Sequence, residues 1–169
     1  MADLAALKLL VLDVDGVLTD GTVLLGAGDE EIKAFHTRDG AGMALWRDSG
    51  RQLTFLTGRG GAAVQRRARE LRIERIWERA GDKSAAFDEI LAHFGVEAHE
   101  VVAMGDDVPD LRLLARAGFS AAPADCSADI RGRVDLVVPS PGGRGAVRDL
   151  VEHVLRGCGA WDDLLEAIS

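Results

Sequence analysis

The chain has 169 residues, with 20 basic and 28 acidic side chains for a formal net charge of −8. Its length matches one domain of ~100–200 residues, 1–169, and a hydrophobic content of 47% supplies a real core, which argues against a disordered chain. An acidic balance gains little from counterion release, so nucleic acid and anionic membrane surfaces are not expected partners.

Two cysteines, Cys126 and Cys158, lie far apart and form no C-x-x-C pair. A disulfide scaffold and a zinc knuckle are therefore not expected, and the count suits a reducing compartment. No apolar run approaches the ~18–20 residues of a membrane span and no signal peptide is visible, so a cytoplasmic protein is expected.

In chain order, residues 8–13 (KLLVLD) read as a short strand buried on both faces, as in a parallel sheet. From Gly16 to Phe35 the pattern predicts a β-hairpin flap, with 22–25 and 32–35 around a turn at 26–29, Gly-Ala-Gly-Asp29. A helix is expected over 41–49, and a second strand over 52–57 (QLTFLT). Val64, Ala68 and Leu71 stripe a basic helix, followed by a short strand at 75–77. Ala86, Phe87, Ile90, Leu91 and Phe94 stripe another helix, before strands at 101–104 (VVAM) and 135–138 (DLVV). Val147, Leu150, Val151, Val154 and Leu155 mark a last amphipathic helix within a C-terminal region of about 142–169. Short buried strands alternating with amphipathic helices predict an α/β fold, a doubly wound parallel sheet of Rossmann-like type with no cap domain.

Ligands of open α/β sheets bind beyond the carboxyl ends of the strands. There this chain places Asp13-Val14-Asp15-Gly16, Thr57-Gly58-Arg59 and Gly105-Asp106-Asp107, with Lys83 just ahead of a helix. Carboxylates gathered from different strands repel, and oxygen ligands without nearby His or Cys favour magnesium over zinc. One such carboxylate can attack phosphorus. A second, two residues on, can protonate the leaving oxygen and then activate water. A lysine and a threonine hydroxyl would stabilise the transferring phosphoryl group.

These four motifs, in this order, resemble those of haloacid dehalogenase-superfamily phosphatases. The segments 35–42 (FHTRDGAG), Arg67-x-x-x-Leu71, 105–110 (GDDVPD) and 142–148 (GGRGAVR) narrow the resemblance to 3-deoxy-D-manno-octulosonate 8-phosphate phosphatases, a capless branch that serves lipopolysaccharide synthesis. The resemblance implies Asp13 as nucleophile and magnesium ligand, and Asp15 as general acid/base with its main-chain carbonyl on the metal. It implies Asp106 as a further ligand, with Thr57 and Lys83 on the phosphoryl group. His36, Thr37, Arg38, Asp39, Gly40, Gly58, Arg59, Arg67 and Arg144 would meet the sugar acid or its phosphate, while Asp107 and Asp110 support. His36 and Thr37 stand where the family usually has Asn and often Val, and the family's common flap tyrosine is missing, so the exact sugar acid stays open. Two alternatives remain: a phosphatase of nonulosonate 9-phosphates, and a non-catalytic oligomerisation domain like the one fused to acylneuraminate cytidylyltransferases. The absence of a cap leaves the site to be closed by a neighbouring subunit. A homotetramer is expected, with flaps and the segment 142–145, bearing Arg144, reaching neighbouring sites.

Overall fold

A computed structural model describes residues 3–28 and 30–168. Asp29, in the expected flap turn, lies outside the described residues. Five strands form one parallel sheet in the order β4-β1-β5-β6-β7: β1 (Leu9–Leu12), β4 (Gln52–Phe55), β5 (Val101–Met104), β6 (Phe119–Ala122) and β7 (Leu136–Val137). A separate antiparallel pair, β2 (Leu24–Leu25) and β3 (Glu31–Ile32), makes the flap, with Leu24 opposite Ile32.

Side-chain alternation along the strands builds two cores. Leu10, Leu12, Phe55, Val102 and Met104 face one way and pack with α1 (Thr37–Asp48), α2 (Ala62–Glu70), α6 (Ala146–Gly157) and α7 (Ala160–Ile168). Leu9, Val11, Val101 and Ala103 face the other and meet α3 (Lys83–Phe94), α4 (Leu111–Leu114) and α5 (Ala128–Arg131). Every β1 side chain is buried, which is why the strand reads as an unbroken apolar run. β1 pairs with β4 on one side and β5 on the other, so strand order reverses at its carboxyl end. That reversal opens a crevice, and Asp13 stands in it.

Several elements differ from the sequence expectation. Residues 75–77 are not a strand; they contribute one parallel bridge, Trp77 to Leu56. β6 was not expected, because Phe-Ser-Ala-Ala has little β-branched character; its small residues suit the closely packed centre of a layered sheet. α1 begins at Thr37, not 41, which moves Thr37, Arg38, Asp39 and Gly40 from a loop into its first turn with His36 as N-cap. The segment 142–145 does not extend away from its own chain. Gly142 and Gly143 pack on residues 16–20 so closely that a Cβ on Gly142 would lie 1.9 Å from the Gly16 carbonyl oxygen.

Candidate active site

The reversal in strand order brings the ends of three strands and one helix to a cleft of about 220 Å³. Asp13 and Asp15 come from the end of β1, Thr57, Gly58 and Arg59 from beyond β4, Lys83 from the start of α3, and Asp106 from beyond β5. Gly16 permits this convergence. It holds φ +93°, and a Cβ there would fall 2.1 Å from a carboxylate oxygen of Asp106.

Lys83 opens α3, next to the positive end of the helix dipole, where a cation gains nothing from the helix. Its side chain turns instead into the cleft, where Nζ donates to Asp13 Oδ1 (2.7 Å) and to Asp110. Burial opposes its charge, but Asp13 and Asp110 outweigh that and raise its pKa above the ordinary lysine value. Burial pushes Asp13 up to about 6 against the pull of Lys83, which leaves it a carboxylate at neutral pH beside the ammonium. Asp106 lacks such a partner. Burial, with the charges of Asp13, Asp110 and Asp107, raises it to about 7.

Thr57 is buried, and its hydroxyl oxygen accepts from the Arg59 N–H (3.2 Å). Asp110 belongs to the cluster more closely than expected. Its Oδ1 accepts from Lys83 Nζ, and its Oδ2 accepts from the N–H groups of Asp106 (3.0 Å) and Asp107 (3.3 Å). It therefore fixes both the lysine and the loop that carries Asp106. The Asp-x-x-Asp spacing of a capping box, Asp107 with Asp110, is the sequence signal for it.

Sequence reasoning missed the flap's contribution. Lys33 Nζ pairs with Asp15 Oδ1 and lies 2.6 Å from Glu31 Oε1, while Arg59 donates to Glu31 Oε2 (2.8 Å). Arg59 first and Lys33 second hold Glu31 down at about 2. The alternation Glu31-Ile32-Lys33 was a usable signal, since residues two apart on a strand share a face. Asp15 Oδ2 is buried and has no hydrogen-bond partner among the described residues.

The remaining expected residues stand elsewhere. Asp39 is fully buried, and its carboxylate accepts from the N–H groups of Gly145 (3.1 Å) and Arg148 (3.0 Å), so it anchors α6 and cannot meet a substrate. Gly40 is buried where a Cβ would lie 2.4 Å from the Arg67 guanidinium; its role is to admit that arginine. Arg67 stacks on Phe35 (5.6 Å) and donates to the His36 carbonyl (3.4 Å), in a second cavity outside the cleft. His36 is half-buried with Nδ1 unpartnered, Thr37 and Arg38 are exposed on α1, and Arg144 is exposed near Asp20.

The sequence of residues 72–148 matches the model of the haloacid dehalogenase-like hydrolases. The chain is 36% identical to the 3-deoxy-D-manno-octulosonate 8-phosphate phosphatase KdsC of Escherichia coli (strain K12), over 93% of this chain and 84% of that protein. The Yersinia pestis protein of the same name is also 36% identical, over 89% and 81%. Among solved structures, the phosphatase of that name from Moraxella catarrhalis, in complex with magnesium, phosphate and a KDO molecule, superimposes with a TM-score of 0.94 at 34% identity. That match covers 98% of this chain and 95% of the other. The cobalt-bound deoxy-D-mannose-octulosonate 8-phosphate phosphatase from Haemophilus influenzae gives 0.90 at 36% identity, covering 92% and 91%.

The chain belongs to the 3-deoxy-D-manno-octulosonate 8-phosphate phosphatase family of haloacid dehalogenase-like hydrolases.

A family member of this kind needs a place for a hard divalent cation, and the cleft fits one. Carboxylate oxygens of Asp13, Asp106 and Asp110 all lie within 4.8 Å of one another. Asp110 is already committed to Lys83 and to two N–H groups, which leaves Asp13 and Asp106 as the carboxylates suited to a metal. Burial and the neighbouring charges of Asp13, Asp110 and Asp107 raise the pKa of Asp106, and a divalent cation held there would relieve that repulsion. Among the described residues, no helix is long and apolar enough to cross a membrane.

Proposed function

We propose that this chain is a magnesium-dependent phosphatase of a phosphorylated sugar acid, foremost 3-deoxy-D-manno-octulosonate 8-phosphate. The observation that carries the reading is the Lys83–Asp13 pair at 2.7 Å, with an unpartnered Asp15 oxygen two residues on and the uncompensated Asp106 across the cleft. The octulosonate is supported by the KDO molecule in the Moraxella catarrhalis relative.

In this reading Asp13 attacks phosphorus and becomes an aspartyl phosphate, while the sugar oxygen leaves. Asp15 gives that oxygen its proton, then takes one from the water that hydrolyses the aspartyl phosphate. Lys83 and the Thr57 hydroxyl hold the phosphoryl oxygens, and Asp110 holds Lys83. Asp13, Asp106 and the main-chain carbonyl of Asp15 would hold magnesium. When bound, magnesium neutralises the two carboxylates and the charge on the transferring phosphoryl group. Gly58 and Arg59 line the same cleft and Arg67 the adjoining cavity, so they stand nearest to the rest of the substrate.

The reading extends to the whole chain as one capless domain acting in the cytoplasm as a homotetramer. Val23, Leu24, Leu25 and Ile32 of the flap are 41–77% exposed, an apolar surface that a neighbouring subunit would cover while excluding water from the cleft. His36, Thr37, Arg38 and Arg144 would then contribute at the rim of the assembled site. Phosphate release from a panel of sugar phosphates, with and without magnesium, tests the activity and separates the octulosonate from nonulosonate 9-phosphates.

A further inference from the structure

An octulosonate 8-phosphate carries two anionic groups at opposite ends of an eight-carbon skeleton. The cleft around Asp13 accounts for the phosphate end. Beyond Arg59, Glu31 and Lys33 lies a second cavity of about 740 Å³ between the flap and α2, lined in part by Lys33, Phe35, Arg66, Arg67 and Arg79. Glu31 and Lys33 wall this cavity and also contact the cleft residues Arg59 and Asp15, so the two spaces share one ion-paired partition.

Arg79 is the unusual member. Among the described residues only Arg72 and Arg79 hold positive φ without being glycine, each at 54°. Arg72 follows α2, where a left-handed residue is a common way to end a helix. Arg79 follows no helix. Its N–H donates to the Arg59 carbonyl (2.7 Å), which pins a disfavoured backbone beside the catalytic cleft. Its guanidinium is exposed and makes no ion pair or hydrogen bond among the described residues, whereas Arg66 and Arg67 are engaged by Glu70 and Arg59 by Glu31.

We infer that Arg79 is a specificity-determining residue that binds the carboxylate end of the substrate in this second cavity. The inference rests on the sugar-acid reading above. A planar guanidinium matches a carboxylate with two parallel N–H donors, and a free one needs no partner displaced first. Lys33, Arg66 and Arg67 line the same space but are balanced there by Glu31 and Glu70, which leaves Arg79 as its one cation without a carboxylate partner among the described residues. A rival position is the cavity of about 530 Å³ beside Lys83, where Arg112 is also without a partner among the described residues; there Lys83 is committed to Asp13 and Asp110, and Arg112 stands on ordinary helical backbone in α4.

The experiment compares kcat/KM for the octulosonate 8-phosphate with that for glucose 6-phosphate, which has no carboxylate. It uses the full chain with magnesium, as parent, Arg79→Gly, Arg79→Lys and Arg112→Ala. Arg79→Gly should lower the preference about tenfold, through KM and not kcat, and should melt no lower than the parent because glycine accepts positive φ freely. Arg79→Lys should fall between the two and keeps the test valid if the glycine variant folds poorly. A preference unchanged within about twofold in both Arg79 variants, or lost in Arg112→Ala instead, overturns the assignment. If the parent itself shows no preference, the sugar-acid reading falls and takes this inference with it. If the parent's preference survives in the Arg79 variants, only this inference falls.

Discussion

Lys33, on the flap, and Asp15, at the end of β1, form an ion pair across 18 residues of sequence. The Lys33 side chain is only 2% exposed, and Asp15 with Glu31 more than offsets the effect of burial on its charge. The hairpin has two residues per strand, too short to hold its own position in water. Its place over the cleft therefore depends on Lys33 and on the Glu31–Arg59 pair.

Lys33→Met should release the flap. Amide exchange over residues 23–33 should speed up by at least about tenfold while the sheet keeps its protection. Phosphatase turnover should fall with it, and Lys33→Arg should recover part of both. Unchanged flap exchange in Lys33→Met would show that the pair does not hold the hairpin.

Asp106 links metal to pH. Its folded pKa, about 7, lies above the ordinary aspartate value of 3.8, so between those pH values the folded protein binds a proton that the unfolded chain has lost. Stability from this group is thus fully present below pH 3.8 and is lost as pH rises through about 7. In chelator, Asp106→Asn should gain melting temperature relative to the parent between pH 5 and pH 8, by a few degrees. Magnesium should raise the melting temperature of the parent at pH 8 and affect the variant much less. A parent-to-variant gap that does not change with pH would contradict the assigned electrostatics.

Asp39 separates a structural role from a substrate role. Asp39→Ala removes two hydrogen bonds and leaves the N–H groups of Gly145 and Arg148 unsatisfied where α6 meets α1. Denaturant unfolding should show a loss of about 1–3 kcal/mol. The value of kcat/KM, measured well below the melting transition, should stay within about threefold of the parent. A large loss of activity with unchanged stability would return Asp39 to the substrate site.

Leu25, 77% exposed at the flap, is the place to test assembly. Light scattering should give a mass near four times the 18.0 kDa of the chain, and Leu25→Lys should shift it towards smaller species and lower the activity. A fully active monomer would overturn the tetramer.

The strand ends were the legible part of the sequence. Asp13, Thr57 and Asp106 sit where a predicted strand stops and Lys83 where a predicted helix begins, and each reaches the same cleft. Buried strands on both sides of β1 made the parallel sheet readable, whereas β6 escaped because alanine and serine carry no strand signature. Asp39 misled for a related reason. A buried acid inside a polar segment looks like a ligand residue until the distant N–H groups that it accepts from, on Gly145 and Arg148, are known. Lys33 and Arg79 depend on long-range placement as well, since neither a flap's docking nor a left-handed turn is written in local composition.

The most direct measurement is phosphate release from 3-deoxy-D-manno-octulosonate 8-phosphate in saturating magnesium, by the parent and by Asp13→Asn, alongside nonulosonate 9-phosphates and neutral sugar phosphates. The octulosonate should be hydrolysed with the highest kcat/KM, chelation should abolish the reaction, and Asp13→Asn should fall below detection while still folded. Retention of activity within about tenfold in Asp13→Asn, a barrier change of only ~1.4 kcal/mol, would contradict the nucleophile, and no hydrolysis of any sugar-acid phosphate by the parent would contradict the function.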